Sequence, residues 1–306
     1  MDLSTSLCGV KVENPVLLAS GILGTTKGAL KLAAENGAGA VVIKSISLKP
    51  RMGHENPILT ETESGFLNAV GYSNMGLKEA LEEFKDNQDV PAPVIASIIG
   101  ETPEEFAELA QQIQEADFKA IELPLSCPHT PGTGLMAGHG TPKATRIITA
   151  EVKKNCDLPV IVKLSPSVMQ IGELAQAAKK AGADAITVGN SLGPGMQIDI
   201  YSKKPTLGFG VGGLSGPAIK PITIRCIWDA YKAVEGGIPV IGCGGLTTGE
   251  DAVEAMLAGA SQVEIGTAIH YRGLNVFEKI KEEIKKYMKD RQVEKIGELV
   301  GAAHGR

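Results

Sequence analysis

Residues 238–268 read IPVIGCGGLTTGEDAVEAMLAGASQVEIGTA. An apolar run, Ile238–Gly242, leads through a glycine turn into Gly249–Leu257, where apolar residues recur at helical spacing. A second apolar run, Gln262–Gly266, follows. Runs of this length, rich in Val and Ile, suit strands buried on both faces of a parallel sheet, so the stretch is one strand–helix–strand unit. Both runs end in glycine, at Gly242-Cys243-Gly244-Gly245 and at Gly266-Thr267. Glycines at such positions let backbone N–H groups approach a phosphate, with a helix N-terminus behind them.

The same alternation extends through the chain. Further apolar runs are Pro15–Ala19, Ala40–Lys44, Pro93–Ile98, Ala120–Leu123, Pro159–Leu164 and Asp184–Val188. The remaining helical patterns are Lys27–Asn36, Met75–Phe84, Pro103–Ala116, Lys143–Lys154, Gln170–Ala181, Ala218–Val234 and Val276–Met288. Pro103 suits a first helical turn, with Thr102 as its N-cap. Eight strands in strict alternation with helices place the chain in the α/β class and predict a (β/α)8 TIM barrel. An open doubly wound sheet is the alternative. A barrel of this kind reaches 306 residues as one domain, so residues 1–306 are read as a single domain.

Three long stretches interrupt the pattern: Ser45–Asn74, Ser126–Pro142 and Gly189–Pro217. Each follows a strand, so each is predicted at the barrel's C-terminal face, where such folds keep their chemistry. Gly208, Gly210 and Gly213 spell G-x-G-x-x-G but do not join a strand to a helix. They are read as a mobile or ligand-covering loop and not as a dinucleotide site.

The formal net charge of −5 offers no basic field for nucleic acid or anionic lipid. Five cysteines, an odd number without C-x-x-C pairs, argue against a disulfide framework, a zinc site or an iron–sulfur cluster in this chain. The five histidines lack metal-ligand spacing, so no metal is assigned. Residue 1 onward shows neither a signal-type apolar run nor, anywhere, a membrane-length one, so a soluble cytoplasmic protein is expected.

Two lysines end strands, Lys44 the second and Lys163 the fifth. A cation there can stabilise developing negative charge or hold a carboxylate. Cys127 lies in Glu122-Leu-Pro-Leu-Ser-Cys-Pro-His129, just past the fourth strand. A thiol with an ordinary pKa of about 8.5, lowered by a nearby cation, can accept a proton or act as a nucleophile. The other cysteines sit in strand, helix or glycine-turn contexts and are read as inert.

These residues together resemble class 1 dihydroorotate dehydrogenases, specifically the catalytic subunit of the NAD-linked type. The resemblance covers the whole chain. It rests on Asn14-Pro-Val-Leu-Leu-Ala-Ser-Gly21, Lys44-Ser45, Pro50-Arg51-x-Gly53, Leu67-Asn68-x-x-Gly71-x-x-Asn74, Ser126-Cys127-Pro128, Lys163-Leu164, Gly195-Met196-x-Ile198-Asp199 and Gly212-Gly213-Leu214-Ser215-Gly216. It implies FMN-dependent oxidation of dihydroorotate to orotate. FMN would be held by Ala19, Ser20, Gly21, Lys44, Ser45, Lys163, Ser215, Gly216, Gly244, Gly245, Gly266 and Thr267. The substrate would meet Lys44, Asn68, Gly71, Asn190 and Ser191, and Cys127 would remove the C5 proton while hydride passes to the flavin. It further implies a homodimer and a separate electron-transfer subunit carrying FAD and a [2Fe–2S] cluster.

The sequence departs from the family pattern on the substrate side. Pro124 stands where the family has Asn, His129 where it has a second Asn, and Tyr72 where Leu is usual. Gly193-Pro194 falls in a loop that is usually shorter. Proline carries no side-chain polar group and no N–H. These changes motivate an alternative, a related FMN oxidoreductase acting on another dihydropyrimidine or an activated alkene. A flavin-free barrel binding a sugar phosphate is a third reading.

Overall fold

The computed structural model describes residues 1–125, 140–168 and 170–305. Eight parallel strands close into a barrel: β1 (Val16–Leu18), β2 (Val41–Val42), β3 (Val94–Ser97), β4 (Ala120–Pro124), β5 (Val160–Leu164), β6 (Ala185–Val188), β7 (Val240–Cys243) and β8 (Gln262–Ile265). They neighbour one another in chain order, and β8 pairs back onto β1. All eight lie within the runs picked from sequence or within a residue of them. The open-sheet alternative is thereby excluded.

Helices α1 (Lys27–Glu35), α2 (Leu77–Glu83), α3 (Pro103–Ile113), α4 (Pro142–Asn155), α5 (Ile171–Lys180), α6 (Lys220–Val234) and α7 (Gly249–Leu257) lie on the outside. After β8 come a short helix, α8 (Ala268–Arg272), and the long α9 (Val276–Asp290). Thr102 caps α3 by accepting from the Glu105 amide, and Pro103 occupies the first turn, as expected. Each helix buries one apolar stripe. On α3 that stripe is Phe106, Leu109, Ala110 and Ile113, packed into the shell between helices and barrel.

Inside the barrel, side chains alternate with period two, so every second residue of a strand points to the axis. One inward layer is apolar: Leu17, Val42, Ile95, Ala120, Ile161, Ala185 and Ile241 pack together. The hairpin Thr5–Leu7/Val10–Val12 closes the barrel beneath them through Leu7 and Val12. Truncating Ile95 or Ile161, each 1% exposed, to Ala costs about 2–5 kcal/mol. Two residues further along the strands the inward positions become polar, and this second layer floors the functional cavity.

The stretches Ser45–Asn74 and Gly189–Pro217 carry strands of their own. Leu59–Thr62, Gly65–Asn68, Gly212–Ser215 and Leu192–Gly195 form one four-stranded antiparallel sheet across the C-terminal mouth. The central pairing sets Gly213 opposite Asn68 and Ser215 opposite Phe66. A small hairpin, Ile198–Asp199 with Lys204–Pro205, projects beside it. Among the described residues no helix is long and apolar enough to cross a membrane.

Candidate active site

The mouth of the barrel holds a cavity of about 540 Å³, within the range of small-molecule and cofactor sites. Its floor is the polar layer. Glu122 from β4, Lys163 from β5, Cys243 from β7 and Glu264 from β8 all face it. Lys163 Nζ donates to Glu264 Oε2 at 2.6 Å and to Glu122 Oε1 at 3.4 Å. Glu122, Lys163 and Glu264 are 1%, 4% and 2% exposed. Burial opposes charge on Lys163, yet the carboxyl groups of Glu122 and Glu264 around it hold its pKa well above the usual lysine value. Burial, reinforced by the neighbouring Glu264 charge, pushes the Glu122 carboxyl up to about 8. Burial also pushes the Cys243 thiol far up, so it stays protonated.

One wall comes from the β1 and β2 ends. Ala19, Ser20 and Gly21 line it, with Lys44 and Ser45 beside them. The Ser20 hydroxyl donates to the Ile43 carbonyl at 2.8 Å, and Ser45 Oγ lies 2.9 Å from Ser97 Oγ. Gly21 adopts φ 94, and a Cβ there would point toward Lys44 Nζ at 4.0 Å.

The opposite wall is glycine-rich. Gly244 and Gly245 have φ 126 and 74, conformations that side chains other than glycine's resist. A Cβ on Gly244 would stand 2.8 Å from Thr223 Oγ1, and one on Gly245 would stand 2.7 Å from the Lys220 amide nitrogen. Only glycine therefore lets this turn lie against Gly216–Lys220. Behind it, Thr248 caps α7, and Asp251 accepts from the Thr247 and Thr248 amides and from Lys220 Nζ at 2.9 Å. Gly266 and Thr267 complete this side.

The roof is the antiparallel sheet. Asn68 Nδ2 lies 3.2 Å from Ser191 Oγ, 3.1 Å from the Gly213 carbonyl and 3.4 Å from Ser215 Oγ. Ser191 Oγ and Ser215 Oγ are 2.8 Å apart, and the Asn190 side chain accepts from the Ser191 amide. Gly71 and Tyr72 close the rim. His54 stacks on Phe209 with ring centroids 3.9 Å apart, joining the two halves of the roof.

Every described residue assigned from sequence to cofactor or substrate lines this one cavity. Cys127 and His129 lie outside the described residues. Of the glycine triplet, Gly213 lines the roof while Gly208 and Gly210 lie in the turn before it. Sequence reasoning missed Glu122, Thr187, Cys243 and Glu264. The available signal was a polar residue at an inward position of an otherwise apolar strand, as in Ala120-Ile-Glu122 and Gln262-Val-Glu264.

Comparison with known proteins places this geometry. The family model described as dihydroorotate dehydrogenase matches residues 2–288. The chain belongs to the dihydroorotate dehydrogenase family. It is 45% identical over 306 residues to the catalytic subunit of dihydroorotate dehydrogenase B (NAD(+)) from Methanocaldococcus jannaschii, covering 99% of this chain and 98% of that one. To the Pyrococcus abyssi protein of the same description it is 46% identical over 301 residues, covering 98% and 99%. A crystal structure of the Eimeria tenella enzyme in complex with ferulenol superposes with a TM-score of 0.84 at 22% identity, covering 100% of this chain and 89% of that one. That likeness shows the shared fold.

Of the departures from the family pattern, Pro124 ends β4 on the cavity wall directly above Glu122. Tyr72 lines the rim with a left-handed backbone, φ 56.

Proposed function

We propose that this chain oxidises dihydroorotate to orotate with FMN as the electron acceptor, and that Cys127 is the base. The observation that carries the reading is the convergence on one cavity of a lysine floor, a glycine wall and an Asn68–Ser191–Ser215 roof. The donor set fits FMN: two lysines, several hydroxyls and glycine backbone suit an anionic, planar group. When bound, FMN supplies the hydride acceptor, the hard chemistry that no side chain provides.

The chain's own residues do the rest. Lys163 would help hold FMN from the cavity floor and supplies a positive charge there that can stabilise negative charge on a reduced group. Lys44 offers a second cation from the neighbouring wall. Asn68 and Ser191 orient the ring between roof and floor. Cys127, three residues after Pro124 in the sequence, takes the C5 proton. The roof sheet excludes water from the reacting atoms.

The curated relatives are catalytic subunits of an NAD(+)-linked enzyme. That description implies an electron-transfer partner; we read it as a separate subunit carrying FAD and a [2Fe–2S] cluster, and the catalytic chain as a homodimer. Pro124 favours a second reading, since it puts a non-donating wall where an amide would contact the substrate. In that reading another dihydropyrimidine or an activated alkene is the substrate. Anaerobic addition of dihydroorotate and dihydrouracil to the purified yellow protein separates the two. Bleaching by dihydroorotate alone supports the first reading; bleaching by dihydrouracil alone supports the second.

A further inference from the structure

The cavity floor carries more acid than its lysine neutralises. Glu122 and Glu264 both contact Lys163, at 3.4 and 2.6 Å. Thr187 on β6, fully buried, places its hydroxyl oxygen 3.3 Å from an oxygen of each carboxyl. A threonine hydroxyl has one hydrogen to donate. It can serve one carboxylate, and its second contact is a hydrogen bond only if the other carboxyl carries a proton and donates to it. Two ionised carboxylates here would leave a buried acceptor–acceptor contact and an uncompensated charge, both costly.

We propose that Glu122 and Glu264 share one proton beneath the flavin, and that the pair takes up a second from solvent when negative charge arrives on the cofactor. This rests on the FMN reading above. In the uptake an O–H bond forms on the ionised carboxylate as one breaks in a hydronium ion. Two electrons pass from the reductant to the flavin, which also binds one proton and so gains a single negative charge; no electron goes to the protein. When the flavin is reoxidised the proton returns to solvent. The trio changes from neutral (Lys163 with one carboxylate) to a single positive charge facing the new negative one.

The surroundings suit this role. The layer draws one residue from every barrel strand, all but Ala19 polar: Ala19, Lys44, Ser97, Glu122, Lys163, Thr187, Cys243 and Glu264 follow two residues after the apolar layer or its β8 counterpart Gln262. Ala19, Ser97 and Thr187 cannot titrate. Cys243 is held protonated by burial and does not compete. Lys44 stands on the wall beside Gly21. Glu122, with its carboxyl pushed up to about 8 by burial and by Glu264, is the member of the pair that keeps the shared proton at neutral pH.

The test is the pH dependence of the flavin's two-electron midpoint potential in the holoenzyme, with dithionite and mediators replacing the substrate. Near neutral pH the wild type should take up two protons per two electrons, one on the flavin and one on the pair, and the double variant Glu122→Gln/Glu264→Gln only the flavin's one, halving the slope. Equal slopes in the two overturn the proposal. Difference infrared spectroscopy of the wild type decides it without any variant. Reduction should add a protonated-carboxyl band that shifts in D2O, and its absence overturns the proposal even where the double variant fails to fold or to keep FMN. Because no dihydroorotate is present, either negative result leaves the substrate assignment standing. A protein that takes up no FMN rejects the functional reading itself, and this one with it.

Discussion

Asn68 Nδ2 donates to Ser191 Oγ at 3.2 Å across 123 residues of chain. The contact exists because Gly65–Asn68 pairs with Gly212–Ser215 over the mouth, bringing the segments after β2 and β6 together. It ties a residue read as substrate-binding to Ser215, read as cofactor-binding, through Ser191.

Asn68→Ala should therefore weaken dihydroorotate binding while FMN stays bound. Loss of one buried polar contact costs about 1–3 kcal/mol, roughly a fivefold to 150-fold rise in Kd. Bleaching titrations at equal FMN content measure it. An unchanged Kd removes Asn68 from the substrate wall.

Lys163→Ala leaves Glu122 and Glu264 buried around a missing cation. Breaking a buried pair this way costs about 3–5 kcal/mol, read as a lower urea midpoint. Adding Glu122→Gln and Glu264→Gln should recover much of the loss, since the uncompensated acid is then gone. A triple variant no more stable than Lys163→Ala would show that the lysine acts by packing alone.

Glu122 gives stability a pH dependence of its own. Its pKa rises from 4.5 in the unfolded chain to about 8 when folded, chiefly through burial. Between those values the unfolded chain has lost a proton that the folded one keeps, so unfolding releases it and stability falls as pH rises. Lys163, also raised, keeps its full contribution throughout this window, because that is lost only above its ordinary value of 10.5. Urea midpoints of the flavin-free protein from pH 5 to 8 should fall less steeply in Glu122→Gln than in the wild type. Parallel profiles would contradict the assignment.

Cys127→Ser should retain FMN and lose most flavin reduction by dihydroorotate at neutral pH, since a serine hydroxyl is a far weaker acid than a thiol and a poorer base. Stopped-flow bleaching measures this. Undiminished reduction would sink the role given to Cys127.

The barrel was readable because its strands are short Val- and Ile-rich runs and its helices carry apolar stripes such as Phe106, Leu109 and Ile113. The glycine wall was readable because Gly244-Gly245 and Gly266-Thr267 follow strands. The roof was not. Its strands are short and glycine-bearing, such as Gly212–Ser215 and Leu192–Gly195, and their pairing is settled between distant segments. The acid floor escaped for another reason. Glu122 and Glu264 look like surface residues until the inward period of β4 and β8 is fixed by barrel closure.

Anaerobic titration of the purified flavoprotein with dihydroorotate tests the central assignment most directly. FMN absorbance should bleach to completion as substrate is added, with orotate formed in equal amount. FMN that stays fully oxidised in excess dihydroorotate would contradict it.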